Sequence, residues 1–129
     1  MTENEISGQI IDAALKIHRA IGPGLLESVY RTFLAHELAL RGLRVDRECS
    51  IPATYEGLLI ETAYRVDLMV NDKVIVEIKS IEEVHSVHKK QVLTYLKLSR
   101  KKLGLLLNFN VSLMKGGIIR IVNGLPETA

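Results

Sequence analysis

A chain of 129 residues, 47% apolar and 25% charged, is long enough to bury one core without staples and too apolar for disorder. Its formal net charge of +2 neither requires nor excludes a nucleic-acid partner, because what counts is whether Lys and Arg share a face. The single cysteine, Cys49, excludes a disulfide framework; with a polar, acidic start and no membrane-length apolar run, it sets the expectation of one cytoplasmic domain over residues 1–129.

Thr2 followed by Glu5 forms a capping-box pattern, and Ile6, Ile10, Ala14, Ile17 and Ile21 recur at helical spacing. This predicts a first helix from about Glu3 to Ala20. Gly22-Pro23-Gly24 then breaks the chain. A second amphipathic stretch is expected from about Leu25 to Gly42, with Leu26, Val29, Phe33, Leu34, Leu38 and Leu40 as its apolar face. Glu27 falls in its first turn, where the helix dipole favours a carboxylate. Tyr30 follows one turn later. His18 and His36 sit among helical charges and are expected to be solvated.

Arg44 to Thr54 alternates weakly, and Glu56-Gly57 offers a turn into Leu58 to Val70. Asn71-Asp72 then separates two β-branched-rich runs, a hairpin signal within Tyr64 to Ser80. The register follows from side-chain alternation. A three-residue loop that pairs Val70 with Val74 sets Val66 against Ile78, Leu68 against Val76 and Asp67 against Glu77. One face is then apolar, and the other carries Arg65, Asp67 and Met69 against Ile75, Glu77 and Lys79. A two-residue turn would place Val66 opposite Glu77 and spoil both faces.

From Glu82 to Ser99 the period is helical again: Val84, Val87, Val92, Leu96 and Ser99 form one stripe, and Gln91 and Tyr95 share another. Leu103 to Phe109 is an apolar run suited to a strand buried on both faces. Following a strand and a helix, it should pair parallel to the third strand. Gly116-Gly117 precedes a short last strand, Ile118 to Val122, and the tail from Asn123 to Ala129 is expected to fray. The fold class is thus α/β, with helices packed on a mixed sheet.

Two carboxylates on neighbouring strands repel unless a cation lies between them, and hard oxygen ligands such as Asp67 and Glu77 suit Mg²⁺ or Mn²⁺. Lys79 beside them would orient or deprotonate an attacking water, or neutralise charge on a phosphate. The competing reading of this set is ordinary cross-strand ion pairing. His85 and His88, three apart, lack convincing metal-ligand partners. Lys89, Lys90, Lys97, Arg100, Lys101 and Lys102 concentrate positive charge around the helix carrying Gln91, and with Arg65 they are candidates for phosphate contacts.

The order of a helix with Glu27, a strand with Asp67, a strand with Glu77-Ile78-Lys79 and a helix with Gln91 and Tyr95 resembles the PD-(D/E)xK nuclease superfamily, and the Gln-x-x-x-Tyr helix its RecB-type and Cas4-type exonucleases. Gly24-Leu25-Leu26-Glu27-Ser28-Val29-Tyr30 is similar to the signature of the GxxExxY family of small stand-alone members. The resemblance implies a restriction-endonuclease-like core and a metal-dependent nuclease acting on nucleic acid, DNA before RNA. It implies that Asp67, Glu77 and the Ile78 carbonyl bind Mg²⁺ or Mn²⁺ and that Glu27 completes the metal site. Lys79 would act on the attacking water, and Gln91 and Tyr95 would project towards the metal or the scissile phosphate. No proline precedes Asp67 in Tyr64-Arg65-Val66-Asp67. The alternative is a non-cutting nucleic-acid-binding or partner-binding module on the same fold. A small domain with few aromatic residues also leaves room for a homodimer or a larger protein partner in holding a duplex.

Overall fold

The computed structural model describes residues 1–126. Helix α1 (Glu3–Ile21) and helix α2 (Glu27–Leu40) lead into three antiparallel strands, β1 (Val45–Tyr55), β2 (Leu58–Val70) and β3 (Val74–Lys79). Helix α3 (Ser86–Ser99) then carries the chain to β4 (Leu103–Asn108), and a 3₁₀ turn at Met114–Gly117 precedes β5 (Ile118–Val122). The five strands form one sheet in chain order, antiparallel except for the parallel β3–β4 pair. This is a mixed α/β architecture, consistent with a restriction-endonuclease-like fold.

The expected capping box closes α1: Glu5 N–H donates to Thr2 Oγ1 at 3.2 Å, and Thr2 N–H to Glu5 Oε1 at 3.0 Å. One face of α1, with Ile6, Ile10, Ala13, Ala14 and Ile17, packs with Leu34 and Leu38 of α2 over Leu68, Val70, Val74, Val76, Leu103, Leu105 and Leu107 of the sheet. The other side of the sheet is covered by α3, whose Val92 and Leu96 meet Ile51, Met69 and Ile75. Helix and strand approach closely there. A Cβ on Gly104 of β4 would lie 2.7 Å from Val92 Cγ1.

The three-residue hairpin loop is present, pairing Val70 with Val74, Met69 with Ile75 and Leu68 with Val76. Asn71 and Asp72 take left-handed φ values of 51° and 55°, which short polar side chains tolerate best. The outer half of the β1–β2 hairpin leaves the body of the domain, so Tyr55, Leu58, Leu59 and Ile60 are exposed. In edge strand β1 the register shifts between Ile51 and Ala53, flanking Pro52, which has no N–H for the ladder.

Several expectations are corrected. Val66 does not join the face of Leu68 and Val70; it packs with Met69 and Ile75 beneath α3, because the alternation of β2 breaks at Asp67. Helix α2 buries Tyr30, Leu34, Ala35 and Leu38, whereas Leu26, Phe33 and Leu40 are exposed. Helix α3 starts at Ser86 rather than Glu82, so Val84 precedes it, and Val87 is exposed. His18 is buried, with Nε2 2.8 Å from the carbonyl of Val111, while His36 is exposed as expected. The tail is anchored at its start, where Asn123 N–H donates to Lys102 O at 2.8 Å and its side-chain amide to Lys101 O at 3.0 Å. Leu125 also packs against the core beneath α1 and α2, and residues 127–129 of the expected frayed tail lie outside the described residues.

Candidate active site

The hairpin delivers Asp67 and Glu77 to one place, but not by simple cross-strand pairing. The β2–β3 ladder ends at Leu68 and Val76. Beyond it, the two carboxylates bridge the opening strands reciprocally. Asp67 N–H donates to Glu77 Oε1 at 2.9 Å, and Ile78 N–H donates to Asp67 Oδ2 at 2.7 Å. Each side chain thus replaces a carbonyl as acceptor for the neighbouring strand. That satisfies backbone donors which would otherwise be left unpaired as the strands separate.

Glu77 is buried, at 8% exposure, and its carboxyl is pushed up to about 7 by that burial and then by the negative charge of Asp67. The N–H of Asp67 and the charge of Lys79 act in the opposite direction, and Glu27 adds to the rise. Two carboxylates with too little positive charge between them form an environment that a divalent cation relieves. The donor set of Asp67, Glu77, Glu27 and the Ile78 carbonyl is composed of hard oxygens, so these residues fit Mg²⁺ or Mn²⁺. The set is not preassembled. Among the described residues, no three Asp, Glu, His or Cys side chains converge as a ready metal cage.

Glu27 reaches the end of β3, forty residues away in sequence from Asp67. Its Oε2 accepts from Ser80 N–H at 3.1 Å, one residue past Lys79, and Ser80 Oγ donates to Leu25 O at 2.6 Å. The preceding loop explains the spacing of Gly24, Glu27 and Tyr30. Gly22 and Gly24 hold φ values of 79° and 104°, available chiefly to glycine. The fully buried Tyr30 stacks on Phe109, with centroids 4.4 Å apart. Its hydroxyl donates to Gly22 O at 2.6 Å and accepts from Leu25 N–H at 3.2 Å. Tyr30 therefore fixes the loop from which Glu27 projects.

Lys79 is partly exposed at the end of β3 and has no salt-bridge partner among the described residues. Tyr95, on α3, lies against Tyr64 with ring centroids 4.8 Å apart. Its hydroxyl is pushed above its ordinary range by burial, then by the charge of Glu77. Gln91, one turn earlier, is exposed and makes no side-chain hydrogen bond among the described residues. His85 and His88 are occupied in starting α3, His88 Nδ1 accepting from His85 N–H at 2.9 Å. Of the basic residues, Arg65, Lys89, Lys90, Lys97, Arg100 and Lys102 are exposed, whereas Lys101 is tied to Asp72 at 3.2 Å.

Two residues at the site escaped the sequence reading. Arg31, on α2, bridges Asp67 Oδ1 at 3.2 Å and Glu48 Oε1 at 3.1 Å. The buried Asn108 clamps the chain leaving β3: its side chain accepts from Ile81 N–H at 3.1 Å and donates to Ile81 O at 2.9 Å. A polar residue closing an otherwise apolar strand was the available signal for Asn108. Arg31 offered none, because an Arg four residues after Glu27 reads as an ordinary helix pair. A groove of about 250 Å³ lined by Ile17, Ala20, Ile21 and Phe33 includes none of these residues.

Comparison with known proteins shows a match to the model of the PD-(D/E)XK nuclease superfamily over residues 4–121. No curated protein and no solved structure matches.

Proposed function

Because this chain belongs to the PD-(D/E)XK nuclease superfamily, we propose that it is a divalent-metal-dependent nuclease of the GxxExxY branch that hydrolyses phosphodiester bonds of nucleic acid, DNA before RNA, in the cytoplasm. The observation that carries this reading is the Asp67–Glu77 pair, locked across the opening of two strands with Lys79 beside it. Ion pairing alone does not account for it, since among the described residues Arg31 pairs with Asp67 and not with Glu77, and the buried Glu77 is left beside that second carboxylate. Asp67, Glu77, Glu27 and the Ile78 carbonyl would hold Mg²⁺ or Mn²⁺, which supplies Lewis-acid neutralisation of phosphate charge.

The residues of the chain do the rest. Water attacks phosphorus in line, the P–O3′ bond breaks, and the products are a 5′-phosphate and a 3′-hydroxyl. Lys79 donates N–H to the non-bridging oxygens as charge accumulates there. Gln91 and Tyr95 orient the scissile phosphate from α3. Exposed Arg65, Lys89, Lys90 and Lys97 contact flanking phosphates, which require charge rather than fixed sequence. A homodimer or larger partner extends this grip on a duplex. No helix among the described residues is long and apolar enough to cross a membrane.

The test is cleavage of single-stranded DNA, duplex DNA and RNA with and without Mg²⁺ or Mn²⁺, for wild type and Asp67→Asn. Metal-dependent cleavage by wild type that Asp67→Asn abolishes is expected. Binding without cleavage under every condition would establish the non-cutting module instead.

A further inference from the structure

Arg31 is placed as no role in helix packing requires. Its guanidinium lies between two carboxylates, Nη1 3.2 Å from Asp67 Oδ1 and Nη2 3.1 Å from Glu48 Oε1. Nε is buried and has no hydrogen-bond partner among the described residues. An orphaned donor of this kind costs free energy and marks a group held for something other than its own satisfaction. Glu48 is also unusual: its φ of 51° is left-handed within a strand, a conformation a non-glycine residue adopts at a cost. The β1–β2 register continues on both sides of Glu48 and Asp67 without pairing them. The break lets one guanidinium engage both carboxylates.

Asp67 Oδ2 already accepts from Ile78 N–H, and Oδ1 is the oxygen that Arg31 holds. We propose that Arg31 is a positioning residue that acts as the resident counter-cation of the carboxylate site, occupying Asp67 Oδ1 in competition with a divalent metal ion and shifting to Glu48 when the ion binds. The inference rests on the nuclease reading of the same site. The physical argument is linkage: two cations that share one acceptor oxygen each weaken the other's binding by the same factor. Glu48 keeps the displaced guanidinium paired, so the exchange does not leave a charge stranded near the core.

The direction of the effect separates this role from a purely structural one. If Arg31 only braced Asp67, its removal would loosen a ligand and weaken metal binding. If it competes, removal strengthens binding. Calorimetric titration of the full chain with Mn²⁺ alone reads the difference. Arg31→Gln is expected to bind Mn²⁺ about tenfold more tightly than wild type, since one positive charge leaves the first few ångströms around the ion. Arg31→Lys keeps the charge but cannot span both carboxylates. It should bind about threefold more tightly than wild type, and it decides the matter should Arg31→Gln not fold.

Equal or weaker Mn²⁺ binding by the variants, with wild type binding normally, overturns the role of Arg31 and leaves the nuclease reading standing. No Mn²⁺ binding by wild type or either variant overturns both. Binding by the variants alone supports the competition strongly.

Discussion

The two faces of the sheet are built on different terms. Beneath α1 and α2, β2, β3 and β4 contribute Leu68, Val70, Val74, Val76, Ile78, Leu103, Leu105 and Leu107 to a continuous apolar layer. Beneath α3, the same strands offer Met69, Ile75 and Val66, and then the surface turns polar with Glu77 and Lys79. The first face can therefore hold the fold while the second tolerates a buried carboxylate that costs stability. The division is sharpest along β3, where Val74, Val76 and Ile78 face one way and Ile75, Glu77 and Lys79 the other. One strand of alternating side chains anchors the core and presents the polar set at once.

The largest effect that would sharpen this contrast is on turnover. Lys79→Ala should lower single-turnover cleavage by about 10²- to 10³-fold, the scale of losing one donor to developing charge. Its thermal stability should match that of wild type, because among the described residues Lys79 is in no core cluster and no ion pair. Cleavage unchanged by the substitution would remove Lys79 from the mechanism. The opposite face should respond in the opposite way. Leu105→Ala, fully buried under α1 and α2, should cost about 2–5 kcal/mol in denaturant unfolding, and a loss well below that range would show that the two faces share the stability more evenly.

A pH titration of stability probes the cost of the polar face. Glu77 has a folded pKa of about 7 against an ordinary 4.5, so between those values the folded protein binds more protons than the unfolded chain. Its contribution is fully favourable below about pH 4.5 and declines as pH rises, reaching its floor above about pH 7. The difference is on the order of 3 kcal/mol. Glu77→Gln should flatten that slope in urea unfolding followed from pH 4.5 to 8; a slope that persists would place its origin elsewhere.

Two smaller effects test how the faces are joined. Gly104→Ala sets a methyl group against Val92 and should cost about 1–3 kcal/mol by displacing α3. Activity should fall with it, because α3 carries Tyr95. Tyr30→Phe removes the hydroxyl that links Gly22 and Leu25 and should cost about 1 kcal/mol in thermal unfolding. It leaves the Phe109 stack in place, so any larger loss of cleavage than of stability would report on the placing of Glu27.

The amino-acid sequence by itself determined the element order, the hairpin register from Leu68 to Val76 and the parallel placing of β4. Local physics suffices for these, since alternation has a period of two and only one loop length keeps the apolar set on one face. It also specified the neighbourhood of Asp67 and Glu77, which lie ten residues apart on one hairpin. Only the tertiary structure decided what those carboxylates touch. Arg31 comes from a helix 36 residues earlier, Glu27 reaches a backbone N–H 53 residues later, and Asn108 clamps a segment 27 residues before it. The face of Val66 was likewise settled by the break in β2 at Asp67, and the burial of His18 by Val111. Periodicity records which side of an element is apolar. It carries no information about which distant donor fills an acceptor, because that depends on how separate elements pack.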